Sequence, residues 1–195
     1  YFFTRPAVAL LGYTPLGGQI VQAVLAAGTM DLVAGFAPPG AGYELAPGIH
    51  VTGPDAMEQV LQEVKPQVLV DFTNAAAAVV NVQIAARHGV KLVVGTTGFS
   101  AAQVKELETA IHGQVPAIIS PNFSIGVNVF WRVIAEAARL LQPYQYHHEI
   151  LELHHAHKKD APSGTALKAA EILARYLPTG ERKFVYGREG ITGER

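Results

Sequence analysis

The 195-residue sequence predicts an α/β protein, with a doubly wound parallel sheet over residues 1–122 and a mixed α+β segment over 123–195. Three observations carry that prediction. Short runs that are apolar throughout, as in strands of a parallel sheet covered on both faces, recur between residues 7 and 119. Stretches with apolar residues at helical spacing alternate with them. After Asn122 this rhythm stops, and a long helical stretch, a histidine-rich segment and a shorter helix follow.

Taken in order, Ala7 to Leu11 is a strand that stops at Gly12, and from Gly18 the residues Ile20, Val21, Val24 and Leu25 keep helical spacing to Gly28. Leu32 to Phe36 reads as the next strand, Pro54 to Val64 as a helix and Gln67 to Asp71 as a strand. Ala75 to His88 is an alanine-rich helix, Lys91 to Val94 a strand, Ser100 to Ile111 a helix with Ser100 at its N-cap, and Val115 to Ile119 a strand. Beyond Pro121, a helix runs from Ile125 to Leu141, a strand from Tyr146 to Leu153 and a helix from Ser163 to Tyr176, with a last strand beginning near Phe184.

Composition narrows the function classes. Hydrophobic residues make up 49% of the chain, enough for a proper core. Fifteen basic against 16 acidic residues leave a net charge of -1 without a basic stripe, which argues against nucleic acid as a partner. With no cysteine there are no disulfides, thiolate nucleophiles or iron–sulfur clusters, and a reducing, cytoplasmic location fits. No apolar run reaches membrane-spanning length and the start lacks a signal-peptide pattern, so no membrane partner is expected. Tyr1 in place of methionine is expected to reflect a trimmed N-terminus.

Gly12-Tyr-Thr-Pro-Leu-Gly17-Gly18 lies between a strand and a helix, where the helix N-terminus offers amides and partial positive charge to a pyrophosphate. Thr14 stands where the usual fingerprint has its second glycine, so position supports dinucleotide binding better than the motif does. A purely structural turn asks for the same glycine freedom. Phe36-Ala-Pro-Pro39 lacks the acidic residue that takes ribose hydroxyls and the arginine that takes an extra phosphate, leaving NAD and NADP equally open. Asp71-Phe72-Thr73 and Gly95-Thr96-Thr97-Gly98 each follow an apolar strand and belong at the ligand-binding edge of the sheet, although Thr73, Asn74 or Ser100 also fit as helix caps. Pro121-Asn122-Phe123-Ser124 opens the long helix with a side-chain amide suited to a nicotinamide carboxamide.

Five of the eight histidines fall between His147 and His157, followed by Lys158, Lys159 and Asp160. Imidazole titrates near neutral pH and lysine is cationic, so the segment can donate a proton and hold an anion. Asp160-Ala-Pro-Ser163-Gly164-Thr165 then leads into a helix whose first-turn amides form an anion site. Together they describe a pocket for a carboxylate-bearing small molecule. No metal is expected, although His155 and His157 have a spacing that zinc enzymes use and leave a metal-hydrolase reading open.

In DFT, VGTTGF, PNFSIGVNV and ELHHAHKKDAPSGTA the chain resembles the dihydrodipicolinate reductases over essentially its whole length. The resemblance implies a Rossmann-like nucleotide domain, residues 1–122, and a substrate-binding and tetramerisation domain, residues 123–195, whose C-terminal part is missing. It implies reduction of 4-hydroxy-tetrahydrodipicolinate by NADH or NADPH in lysine and diaminopimelate synthesis, within a homotetramer. By position, it makes His154 the general acid and Lys158 the group that stabilises or protonates the imine nitrogen. It gives His155, Gly164 and Thr165 to the substrate carboxylates, and Thr97 to substrate and nicotinamide alike. Gly12, Gly17, Gly18, Phe72, Gly95 and Thr96 would line the cofactor cleft, with Asn122 and Phe123 at the hinge. The chain departs from the family at Thr14-Pro15-Leu16, where a stretch ending in Arg-Met-Gly is usual, and in the uncharged end of the second strand. Those departures leave a non-catalytic dinucleotide-binding paralogue as the alternative.

Overall fold

A computed structural model describes residues 5–12, 15–38, 42, 44–154, 156, 158, 160–177, 184–187 and 189–191. The chain divides into two compact units, Tyr1–Ser120 and Pro121–Arg195.

The first unit is built on seven strands: β1 (Ala7–Leu11), β2 (Asp31–Phe36), β3 (Glu44–Ala46), β4 (Ile49–Thr52), β5 (Val68–Asp71), β6 (Lys91–Val94) and β7 (Ala117–Ile119). Their order in the sheet is β3-β4-β2-β1-β5-β6-β7, parallel throughout except for the β3–β4 hairpin. The chain therefore winds from β1 to β2 in one direction and through β5, β6 and β7 in the other, and the reversal falls between β1 and β5. The helices are α1 (Pro15–Ala27), α2 (Met57–Val64, entered through a short 3₁₀ turn at Pro54–Ala56), α3 (Ala75–Arg87) and α4 (Ala101–Ile111).

Side-chain alternation along the strands sorts the core into two layers. Ala9, Leu11, Ala34, Phe36, Leu69, Leu92 and Val94 pack on one face against Met57 and Leu61 of α2, Val79 and Val82 of α3 and Leu107 of α4. Leu10 and Leu32 face the other way, onto Val21 and Val24 of α1. The second face is less well covered than uniformly apolar strands imply. Val68, Val70 and Val93 are only half-buried and Ile118 is exposed; α1, the first unit's helix on that side among the described residues, sits over β1 and β2.

Three of the four helices start where the sequence chemistry allows. Asn74 caps α3 by accepting from the Ala77 amide, and Ser100 and Gln103 form a reciprocal capping box on α4. α1 begins at Pro15, a favoured residue for a first helical position, rather than at Gly18. Gly17 and Gly18 consequently lie in its first turn and not in the preceding loop. The β3–β4 hairpin was not anticipated from the sequence; it turns through Pro47-Gly48, with Gly48 at φ 78°.

In the second unit α5 (Ile125–Leu141), capped by Ser124, packs on α6 (Gly164–Ala174) through Val127, Trp131 and Ile134 against Ala169 and Ile172. A two-residue ladder joins β8 (Asp160–Ala161) to β9 (Gly190–Ile191). The expected strand from Tyr146 to Leu153 does not form. An apolar–polar alternation makes a strand only where a neighbour completes the ladder, and among the described residues none lies beside it; Leu151 and Leu153 are 87% and 86% exposed. The expected strand near Phe184 is likewise absent over 184–186, and among the described residues of this stretch pairing is seen at Gly190–Ile191.

Candidate active site

Gly12, Phe72 and Gly95 are the first residues past β1, β5 and β6, so they meet at the carboxyl edge of the sheet where the winding reverses. That crevice is where open α/β folds bind ligands. Gly12 sits at φ +94° and donates its N–H to the Phe36 carbonyl at 3.1 Å. A Cβ there would lie 2.6 Å from the Phe72 carbonyl oxygen, so only glycine fits. A side chain at Gly95 would overlap the Phe72 ring, which occupies that space instead. Gly18 in the first turn of α1 has nothing within 4 Å of where its Cβ would be. A side-chain-free approach to a helix N-terminus at the reversal point is the chemistry a dinucleotide pyrophosphate needs, and these residues fit one.

The Phe72 and Thr96 turns are locked together. Asp71, fully buried, accepts at Oδ1 from the Thr73 amide (3.0 Å), the Thr73 hydroxyl (2.8 Å) and the Thr96 hydroxyl (2.7 Å), and at Oδ2 from the Asn81 side-chain amide (2.8 Å). The Thr96 hydroxyl in turn accepts from the Thr73 amide at 2.9 Å. Thr96 is buried and Thr97 beside it is exposed. No charged side chain follows β2 at Ala37 or Pro38; Pro39 lies outside the described residues, as does Thr14 of the glycine turn.

In the second unit, the half-buried Glu152 joins a histidine to a helix. Its Oε2 lies 2.7 Å from His154 Nε2, and its Oε1 accepts the Ser163 amide at 2.8 Å. Burial pushes the Glu152 carboxyl up, but the hydrogen bonds from Ser163 and His154 outweigh it and hold the group below the ordinary carboxylate value. Ser163 caps α6 by accepting from the Ala166 amide at 3.1 Å, so Gly164 and Thr165 occupy the first turn, whose amides have no intrahelical carbonyl to bond. The Thr165 hydroxyl accepts from Asn122 Nδ2 (3.2 Å) and its carbonyl from Trp131 Nε1 (3.3 Å). Asn122 also accepts the Ser124 amide at 2.8 Å, which sets the start of α5. Phe123 is 43% exposed, and Lys158 is half-buried two residues before β8.

The structure thus gathers Gly12, Phe72, Gly95 and Thr96 at one sheet edge, and His154, Gly164, Thr165 and Asn122 around one helix start. His155 lies outside the described residues, as do His157 and Lys159. Among the described residues no group of three or more histidine, cysteine, aspartate or glutamate side chains could hold a metal ion. Of three residues that organise these clusters, Asp71 and Glu152 stand in motifs read from the sequence but carry no role of their own there, and Asn81 is in none of those motifs. Asp71 ends an otherwise apolar strand, Asn81 interrupts an alanine-rich helix, and Glu152 stands two residues before His154, on the same side of an extended segment. Each was visible as a polar residue out of pattern.

Comparisons with known proteins cover both units. The profile described as "Dihydrodipicolinate reductase, N-terminus" matches residues 7–123, and "Dihydrodipicolinate reductase, C-terminus" matches residues 126–195. The 4-hydroxy-tetrahydrodipicolinate reductase of Methanosarcina barkeri is 47% identical over 193 residues, covering 94% of this chain and 72% of that protein. The enzyme of the same name from Methanocaldococcus jannaschii is 53% identical over 149 residues, covering 76% and 53%. The chain thus matches between about half and three-quarters of the length of these relatives. Among solved structures, dipicolinate-bound dihydrodipicolinate reductase from Paenisporosarcina sp. TG-14 superposes with a TM-score of 0.71 at 28% identity, over 97% of this chain and 72% of that one.

Proposed function

The chain belongs to the dihydrodipicolinate reductase family, and from that premise we propose that it reduces 4-hydroxy-tetrahydrodipicolinate to tetrahydrodipicolinate, with loss of water, in lysine and diaminopimelate biosynthesis. It is an oxidoreductase that uses NADH or NADPH. The observation that carries the reading is the Glu152 bridge, which ties His154 to the capped start of α6 and so sets an imidazole beside free helix amides.

Gly12, Gly17, Gly18, Phe72, Gly95, Thr96, Thr97, Asn122 and Phe123 are the residues proposed to hold the dinucleotide. The bound dinucleotide supplies the hydride. The first-turn amides of α6, Thr165 and His155 take the carboxylates of the substrate, and the dicarboxylate in the Paenisporosarcina complex supports that ligand class. Lys158 offsets the negative charge that develops on the ring nitrogen, and His154 delivers the proton. Glu152 keeps the imidazole oriented through the 2.7 Å hydrogen bond between them.

The reading extends to a cytoplasmic homotetramer. The absence of cysteine fits a reducing compartment. No helix among the described residues is long and apolar enough to cross a membrane. Exposed Ile125, Val129 and Val133 on α5, with Leu151 and Leu153, offer apolar surface for self-association.

The test is turnover by the full chain supplied with freshly generated substrate. Oxidation of NADH or NADPH is expected only when substrate is present. Binding of dinucleotide without any substrate-dependent oxidation would favour a non-catalytic paralogue, and stoichiometric zinc with hydrolytic activity would favour the metal reading.

A further inference from the structure

Asp71 is a carboxylate with no exposed surface, and among the described residues no cationic side chain pairs with it. Burying such a group is costly unless it is well hydrogen-bonded. Four donors converge on it from three places, its own turn at Thr73, the next turn at Thr96 and the middle of α3 at Asn81, three of them at Oδ1 and one at Oδ2. With the Asn81 amide oriented as it stands, an amide at position 71 would offer one acceptor atom instead of two and set its NH₂ against the Asn81 NH₂.

The network holds the turns, whereas the core beneath is already closed by apolar packing. Leu69, Leu92 and Val94 are fully or almost fully buried without help from Asp71. What Asp71 adds lies above the sheet. The Gly95 amide donates to its carbonyl at 2.8 Å, the Thr96 hydroxyl to its side chain, and the Thr73 amide to both Asp71 and Thr96. Phe72, between two bonded residues, then presents its carbonyl to Gly12 and its ring to Gly95. The Asp71 side chain therefore ties the turn after β5 to the turn after β6, and Phe72, held between them, lies against Gly12 after β1.

Resting on the dinucleotide reading above, we propose that Asp71, oriented by Asn81, is the positioning residue of the cofactor site. It touches no ligand itself. It fixes Phe72 and Thr96 relative to Gly12, so the surface that receives the dinucleotide is formed before binding.

Calorimetric titration of the full chain with NADH and with NADPH, alongside thermal melting and steady-state kinetics, tests this in Asp71→Asn, Asn81→Ala and the exchanged double variant Asp71→Asn/Asn81→Asp. The Asp71→Asn variant is expected to lose roughly ten- to hundred-fold in dinucleotide affinity, the scale on which supporting partners act at other sites. Its KM for dinucleotide should rise while KM for substrate stays put. Asn81→Ala, on α3 and remote from the turns except through Asp71, should lose a smaller factor in the same direction, and it serves if Asp71→Asn fails to fold. The double variant restores a donor opposite an acceptor and should recover most of the affinity. Melting temperatures that fall while dissociation constants in the folded protein stay at the wild-type value would overturn the proposal. So would a double variant no better than Asp71→Asn. Wild-type protein that binds neither dinucleotide would instead overturn the reading of the whole unit, and this inference with it.

Discussion

Asp71 and Glu152 are both carboxylates that fasten a candidate site residue to a neighbouring element, and they work in opposite surroundings. Asp71 is wholly buried at the end of a strand paired on both sides, and it joins turns whose positions the parallel ladder has nearly fixed. Glu152 is partly exposed on a stretch without ladder bonds, and its two hydrogen bonds are what hold His154 at the start of α6. The difference teaches that the two units of the chain reach order by different routes. In the first unit a scaffold comes first and a side chain refines it. In the second unit a side chain stands in for the scaffold.

The largest expected effect tests the division of labour itself. Lys158→Ala should lower turnover by roughly 10²- to 10⁴-fold while dinucleotide affinity, measured by titration, changes little. Equal losses in both would mean that the two halves do not act separately. Next is the rigidity of the sheet edge. Gly12→Ala forces a side chain into φ +94° with its Cβ 2.6 Å from a carbonyl oxygen, and should cost about 1–3 kcal/mol of stability together with dinucleotide binding. Gly18→Ala meets nothing within 4 Å and serves as the control in the same denaturation series.

A smaller effect probes the other carboxylate. Glu152→Gln should reduce turnover by about tenfold, as loss of an orienting partner does, with melting nearly unchanged. Its titration has a definite sign. The folded-state value lies below the ordinary 4.5, since the bonds from Ser163 and His154 outweigh burial. The carboxylate's contribution is therefore complete above 4.5 and is lost as pH falls through the lowered folded-state value. The Ser163 amide resonance, followed by NMR during acidification, should move over that window in wild type and stay still in the variant. The smallest effect concerns a helix start away from both sites: Ser100→Ala removes the capping box of α4 and should cost about 1 kcal/mol by denaturant titration.

Much of the first unit could be read directly because its elements obey short-range rules. Leu32–Phe36 and Lys91–Val94 are apolar runs bounded by turn residues, and Ser100 and Ser163 announce their helices by side-chain chemistry. The β3–β4 hairpin escaped notice because three- and four-residue strands beside Pro47-Gly48 are too short to display a period. Tyr146–Leu153 failed in the opposite sense: it has the alternation of a strand, but pairing is a property of the neighbour and is not encoded in the segment. The site was legible as residue types, since imidazole, ammonium and a glycine-bearing helix start announce their chemistry. The supports were not. Asp71 and Asn81 are ten positions apart on a strand and a helix, and nothing local says that one will bury against the other.

Trp131 is the single tryptophan of the chain, 7% exposed, with its indole N–H on the carbonyl of Thr165. The protein therefore carries a built-in optical probe at the first turn of the helix proposed to grip substrate. A ligand settling on Thr165 should alter the polarity felt by that one indole, shifting its emission maximum without any label. The same signal offers a stopped-flow trace of substrate arrival that needs no reduced dinucleotide in the cell, so binding can be timed apart from hydride transfer.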